Sequence, residues 1–287
     1  MQNFDNQLQF LITQALQEDV GDGDHSTLSC IPANKQGKAV LKIKQAGILA
    51  GVSVAEKIFK QIEPSTVFTP YKQDGEAMQV GDKAFEVEAS IHTILTCERL
   101  VLNCMQRMSG IATLTHTYTE KLKGFHTKLL DTRKTTPNFR LLEKEAVKIG
   151  GGINHRFGLY DMIMLKDNHI DYAGGIENAI EKAWQYVTNK KPALKIEVET
   201  RSIEDVEKVC AIGEGKVSRI MLDNFTPEQV QKAVQIIQHR FETEASGGIN
   251  INTIQSYAAT GVDFVSVGGL IHQAVSLDMS LKAVINQ

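Results

Sequence analysis

Six short apolar runs, each closed by polar or glycine residues, punctuate the chain from residue 128 onward. They are Lys128–Asp131, Met162–Leu165, Leu194–Val198, Arg219–Leu222, Phe241–Ala245 and Phe264–Val267. From Leu194 the runs recur every 22 to 25 residues. Amphipathic stretches such as Ile203–Ala211 and Pro227–Gln238 fill the intervals. Strand-helix alternation at this spacing builds right-handed βαβ units and a parallel sheet. Six strands, or seven, predict an incomplete (β/α) barrel, with a doubly wound open sheet as the alternative. No Gly-x-Gly-x-x-Gly turn follows an early strand, which argues against a dinucleotide-binding fold.

The first third reads differently. Residues 4–17 carry apolar side chains at helical spacing, and 18–27 form a loop rich in Gly and Asp. Residues 37–43 alternate as a half-buried strand. Residues 52–62 read as a helix, with Asp74-Gly75 and Gly81-Asp82 as turns around short strands. Residues 91–122 form a long helical segment with a soft point at Ser109-Gly110. The 287 residues have room for a barrel and a smaller partner domain.

Barrel enzymes place their chemistry at the C-terminal ends of the strands. Those ends carry Arg133 and Lys134, Lys166 with Asp167-Asn168-His169, Glu197 and Glu199, Asp223-Asn224, Ser246-Gly247-Gly248, and Gly268-Gly269. Seven Lys or Arg against three Asp or Glu lie between residues 133 and 166, in a chain of net charge -3. Clustered cations in a mildly acidic chain predict a pocket for small, highly charged anions, not a nucleic-acid surface. The paired Gly-Gly turns after the last two strands predict a phosphate cradle, where small residues let backbone N–H groups approach oxygen. Glu199 and Asp223 at the same mouth would repel a polyanion unless a divalent cation intervened, and oxygen donors beside phosphate point to Mg²⁺.

The sequence contains no apolar run long enough for a membrane span, and residues 1–6 show no signal-peptide pattern. Cys30, Cys97, Cys104 and Cys210 are scattered and form no C-x-x-C pair. These features predict a cytoplasmic protein with free thiols and no structural zinc.

The motifs, in order, resemble quinolinate phosphoribosyltransferase. They are Asp131-Thr132-Arg133-Lys134-Thr135-Thr136-Pro137, Gly150-Gly151-Gly152-Ile153-Asn154-His155-Arg156, Leu165-Lys166-Asp167-Asn168-His169, Glu197-Val198-Glu199, Leu222-Asp223-Asn224-Phe225 and Glu244-Ala245-Ser246-Gly247-Gly248-Ile249. Glu18-Asp19 to Thr27, and Glu98-Arg99-Leu100 through Ser109-Gly110-Ile111-Ala112, extend the resemblance into the first third.

The resemblance implies an N-terminal α/β sandwich over 1–112 and an incomplete seven-stranded α/β barrel over 113–287, with about the last 15 residues packing back on the first domain. It implies conversion of quinolinate and phosphoribosyl pyrophosphate to nicotinate mononucleotide, pyrophosphate and CO₂ in NAD biosynthesis, with Mg²⁺. By position, Arg99, Arg133, His155 and Arg156 would hold the quinolinate carboxylates. Lys134 and Lys166 would lie between the acid and the phosphates, and Glu199 and Asp223 would face the ribose and the metal. Ser246, Gly247, Gly248, Val267, Gly268 and Gly269 would cradle the 5′-phosphate. Lys134, Lys166, Glu199 and Asp223 are the catalytic candidates. The resemblance also implies a homodimer or hexamer, with Arg99 supplied by the neighbouring subunit. A nicotinate-specific transferase, a molybdenum-transport-associated paralogue of the same fold, and an inactive sugar-phosphate-binding regulator are the rival readings.

Overall fold

The protein is described from a computed structural model covering residues 4–284. Its strands are β1 (Gln36–Ile43), β2 (Gly47–Ile48), β3 (Val67–Pro70), β4 (Ala77–Met78), β5 (Lys83–Ser90), β6 (Lys128–Leu130), β7 (Ile163–Leu165), β8 (Ile196–Thr200), β9 (Arg219–Asp223), β10 (Glu242–Ser246), β11 (Phe264–Ser266) and β12 (Met279–Ala283). The chain forms two compact units, each assembled from more than one stretch. The first holds residues up to His116, Thr135–Gly151 and the chain from Leu270 onward. The second holds Thr117–Lys134 and Gly152–Gly269.

The first unit is an α/β sandwich around an antiparallel sheet of order β12-β1-β5-β3. Buried Leu41, Phe59, Phe85 and Val87 fill its core, and Phe68 lies 4.5 Å from Phe85 between ring centroids. The helix Val52–Ile62 starts at Gly51, whose φ of 97° suits glycine, and Asp74 Oδ1 accepts the Val52 N–H at 2.8 Å.

Two local expectations fail here. The 18–27 loop is interrupted, because Asp24 caps a helix His25–Cys30 by accepting the Thr27 N–H at 3.1 Å. The expected soft point at Ser109-Gly110 is continuous helix within Ile91–Lys121. A Cβ on Gly110 would fall 2.1 Å from the Val275 carbonyl oxygen, so this glycine serves close packing rather than bending. Ser109 Oγ accepts the Ala50 N–H at 2.9 Å.

The second unit is the parallel sheet, ordered β6-β11-β10-β9-β8-β7. An isolated parallel bridge from Leu130 to Ile153 extends it beyond β6. The first strand therefore lies beside the last in a cyclic order. That order belongs to a curling barrel and excludes the doubly wound sheet, whose order reverses at its centre. β7 and the Ile153 segment are not paired with one another among the described residues, so the barrel is incomplete. Each of the six expected runs forms a strand, with ends displaced by no more than a few residues. The register sets Glu197 beside Arg219 and Arg219 beside Glu242, and one step on, Glu199 beside Met221 and Met221 beside Glu244. With a side-chain period of two, these residues share the interior face.

Candidate active site

The strand ends of the second unit enclose a cavity of about 690 Å³. Arg133, Lys134, His155, Arg156, Lys166, Glu199, Asp223, Ser246, Gly247, Gly248 and Gly268 all line it, as the strand-end reading and the motifs expected. Glu197, Asn168 and His169 of the strand-end reading do not line it, nor do three residues that the resemblance assigned to it. Val267 is buried, Gly269 begins the short helix Gly269–His272, and Arg99 is an exposed residue of the long helix in the first unit.

The cationic side is built on the loop after β6 and on Asn154-His155-Arg156. Asp131, fully buried, accepts the His155 backbone N–H at 2.8 Å and so ties the two loops together. Thr132 Oγ1 accepts the Lys134 N–H at 3.1 Å and turns the first loop. Burial lowers the Arg156 pKa, and the nearby Arg133 charge lowers it further. Two guanidinium groups therefore lie close enough to repel, and the carboxylates of Glu197 and Asp161 offset only part of the lowering. Arg133 Nε is buried and donates to no acceptor among the described residues. An unsatisfied buried guanidinium donor fits a mouth shaped for an anionic ligand.

Opposite lie the carboxylates. Lys166 Nζ stands 3.6 Å from Glu199 Oε2, and the Lys166 N–H donates to His169 Nδ1 at 3.1 Å, which fixes the turn after β7. Asp223 Oδ2 accepts a hydrogen bond from the Asn224 side chain at 2.6 Å. Asn224 takes φ 58°, and its N–H donates to the Ser246 carbonyl at 2.8 Å. Gly247 and Gly248 have φ 95° and 64°, and their N–H groups donate to no described residue. Free N–H groups at a glycine turn suit phosphate oxygens. Glu199 and Asp223 form an oxygen-only donor pair with cavity space for further oxygens, which fits Mg²⁺.

Below the mouth, the motifs were less informative. His155 Nε2 lies 3.0 Å from Glu197 Oε2 and 3.2 Å from Glu244 Oε2. Burial opposes a charged ring, but the two carboxylates outweigh it and push the pKa up to about 9. That value implies protons on both ring nitrogens at neutral pH. Nδ1, however, accepts the Arg156 N–H at 2.7 Å, and two facing N–H groups cannot approach so closely. The ring proton therefore sits on Nε2, between the carboxylates. Burial and the Glu244 charge raise the Glu197 pKa. Burial also opposes charge on Glu244, but His155, Ser266 and Arg219 outweigh it and lower the pKa.

Glu244, Met221, Met164 and Ser266 line the cavity and were not singled out by the strand-end reading. The signal for most of them was the period of two, since Glu244 and Met221 share the face of Ser246 and Asp223.

An α/β barrel whose strand ends gather cations, carboxylates and glycine turns into one cavity defines an enzyme class acting on small, phosphate-bearing anions. The family model for the N-terminal domain of quinolinate phosphoribosyl transferase matches residues 24–109, and that for its C-terminal domain matches 111–282. The chain is 42% identical to the chloroplastic nicotinate-nucleotide pyrophosphorylase [carboxylating] of Oryza sativa subsp. japonica, over 96% of this chain and 77% of that one. It is 38% identical to the probable nicotinate-nucleotide pyrophosphorylase [carboxylating] of Bacillus subtilis (strain 168), over 98% and 94%. The crystal structure of NadC from Streptococcus pyogenes superposes with a TM-score of 0.88 at 41% identity, covering 96% of each chain. The chain belongs to the quinolinate phosphoribosyl transferase family, as its motifs indicated. No helix among the described residues is long and apolar enough to cross a membrane.

Proposed function

We infer that the protein transfers the phosphoribosyl group of phosphoribosyl pyrophosphate to quinolinate with loss of CO₂, giving nicotinate mononucleotide and pyrophosphate. The observation that carries this reading is the convergence of Arg133 and Arg156, with a buried Arg133 donor left without an acceptor, in the cavity that also holds Glu199, Asp223 and the glycine turn. A pyridine dicarboxylate needs two cationic grips on one side and a sugar phosphate beside them.

Arg133 and Arg156 hold the two carboxylates. His155 belongs to the same wall. Lys134 and Lys166 stand between the acid and the pyrophosphate. Ser246, Gly247, Gly248 and Gly268, backed by Val267 and Gly269, receive the 5′-phosphate. This arrangement orients the pyridine nitrogen toward C1 of the ribose, which converts an encounter into a positioned reaction. The C1–O bond breaks with its electron pair leaving on pyrophosphate, and the nitrogen lone pair forms the new bond to C1. Glu199 and Asp223 stabilise the positive charge that builds on the ribose in between. Bound between Glu199 and Asp223, Mg²⁺ would supply neutralising charge to the pyrophosphate. The alkylated nitrogen is cationic, so the adjacent C–C bond can break to CO₂ with its electron pair left on the ring carbon, which then takes a proton. The cationic nitrogen is the electron sink for that step.

Arg99 belongs to this reading as a residue supplied by a second copy of the chain in a homodimer, alone or within a hexamer. The four free cysteines, three of them buried, fit a reducing cytoplasm. The test is to supply the purified protein with phosphoribosyl pyrophosphate, Mg²⁺ and either quinolinate or nicotinate. Release of CO₂ and pyrophosphate with quinolinate, and no product from nicotinate, supports the assignment. Equal turnover of nicotinate overturns it.

A further inference from the structure

Branched apolar side chains fill the interior layers of most α/β barrels. Beneath this mouth stand Glu197, Glu244 and Arg219 instead, exposed by 0, 0 and 8%, with His155 at 9%. Arg219 Nη1 donates to Glu244 Oε2 at 3.0 Å, and its Nε and Nη2 donate to Glu242 Oε2 at 3.2 and 3.0 Å. The guanidinium lies 4.2 Å from the centroid of the Phe264 ring. Taking such groups out of water costs more than an apolar layer of the same volume. The layer therefore calls for a role that an apolar layer cannot fill.

All three nitrogens of His155 have positions in this framework. The backbone N–H donates to Asp131, Nδ1 accepts the Arg156 N–H, and Nε2 lies between Glu197 and Glu244. Although His155 lines the cavity, both ring nitrogens are thus turned to protein groups rather than to an acid in it. One direct contact of the ring is with the backbone of Arg156. The ligand atoms of His155, Glu197 and Glu244 also lie within 4.8 Å of one another, a spacing that a metal site shares. Nε2 lies close to both carboxylates without the alignment of a hydrogen bond to either, and Arg219 already supplies a cation to Glu244.

We propose that Glu197, Glu244 and Arg219 are positioning residues that anchor His155, and that His155, rather than gripping the substrate, fixes the backbone of Arg156 so that its guanidinium meets the substrate carboxylate. The proposal rests on the reading of Arg156 as a carboxylate grip.

Two experiments test it. The first measures the KM for each substrate and kcat in Glu197→Leu, Glu197→Gln and Glu244→Leu, with melting temperatures alongside. A rise of about tenfold or more in the quinolinate KM, with the phosphoribosyl pyrophosphate KM within about twofold, is expected for the leucine variants. Glu197→Gln, which keeps an oxygen facing Nε2, is expected to restore most of the affinity. Equal changes in both KM values, or none in a folded variant, overturn the proposal. The second is independent of activity and of variant folding. Nitrogen-15 NMR of histidine-labelled wild-type protein, with His155 assigned by its loss in His155→Asn, should show a bare Nδ1 and a protonated Nε2. A protonated Nδ1, or rapid averaging of the two nitrogens, overturns the anchoring. Absence of quinolinate turnover by the wild-type protein would instead count against the proposed function and leave the NMR result to stand alone.

Discussion

A Cβ on Gly247 would fall 2.2 Å from Asn224 Oδ1. The loop after β9 thus presses on the loop after β10, and φ 95° at Gly247 independently disfavours any other residue. Gly247→Ala is expected to strain the turn by on the order of 1–3 kcal/mol. Binding of phosphoribosyl pyrophosphate should weaken by tenfold or more, with quinolinate binding less affected. Isothermal titration with each substrate checks this, and equal affinities to wild type would remove the turn from the phosphate site.

Arg156→Ala should act on the other substrate. Truncating one partner of a buried, hydrogen-bonded charge pair costs about 2–5 kcal/mol, much of it from the carboxylate left without its partner. Calorimetry should show quinolinate affinity reduced at least tenfold and phosphoribosyl pyrophosphate affinity nearly retained. Unchanged quinolinate binding would rule out the assigned grip.

Asp223→Asn is expected to keep the fold, because the side chain's described bond is with Asn224 at the cavity wall, and to lose most Mg²⁺-dependent activity. A Mg²⁺ titration of the variant that overlays the wild type would make Glu199 and Asp223 structural rather than metal-holding.

Stability has a separate centre in the first unit. Glu143, fully buried, accepts from Arg107 Nε and Nη2 at 3.1 and 2.9 Å and from the Thr136 N–H and hydroxyl at 2.8 and 2.9 Å. Arg107 also donates to the carbonyls of Ile271 and Ala274. Glu143→Ala leaves this guanidinium without its counter-charge, and breaking such a buried pair costs about 3–5 kcal/mol. A clear fall in melting temperature is expected. A melting curve matching wild type would show that the network contributes little.

Arg99 gives the test of a shared site. Arg99→Ala and Lys166→Ala should each be nearly inactive alone. Unfolded together and refolded with random pairing, about half of the dimers are mixed, each with both defects in one site and the other site intact, so activity should return to about a quarter of wild type. No recovery in confirmed heterodimers would mean that Arg99 does not serve a neighbour's site.

Much of this was legible in the sequence because barrels put their chemistry at strand ends. Lys166, Glu199, Asp223 and Ser246-Gly247-Gly248 each stand one step from an apolar run, and the cavity gathers them. Glu197 was read at a strand end beside Glu199, but its place in a buried layer with Glu244 and Arg219 was not legible, since a charged residue inside a strand reads as solvent-facing unless the barrel interior is known. Arg107 and Glu143 escaped for a related reason. They lie 36 positions apart on two helices, and only tertiary packing brings them within hydrogen-bonding distance. Gly110 looked like a flexible point because its contact, the Val275 carbonyl, is far along the chain.

Phosphoribosyl transfer coupled to decarboxylation is tested by following both carbon and phosphate in one assay. The wild-type protein would be given phosphoribosyl pyrophosphate, Mg²⁺ and quinolinate labelled in the carboxyl group next to the ring nitrogen. Labelled CO₂, pyrophosphate and nicotinate mononucleotide are expected in equal amounts, with no product when phosphoribosyl pyrophosphate is omitted. Nucleotide formed with the label retained, or no nucleotide at all from the folded protein, would contradict it.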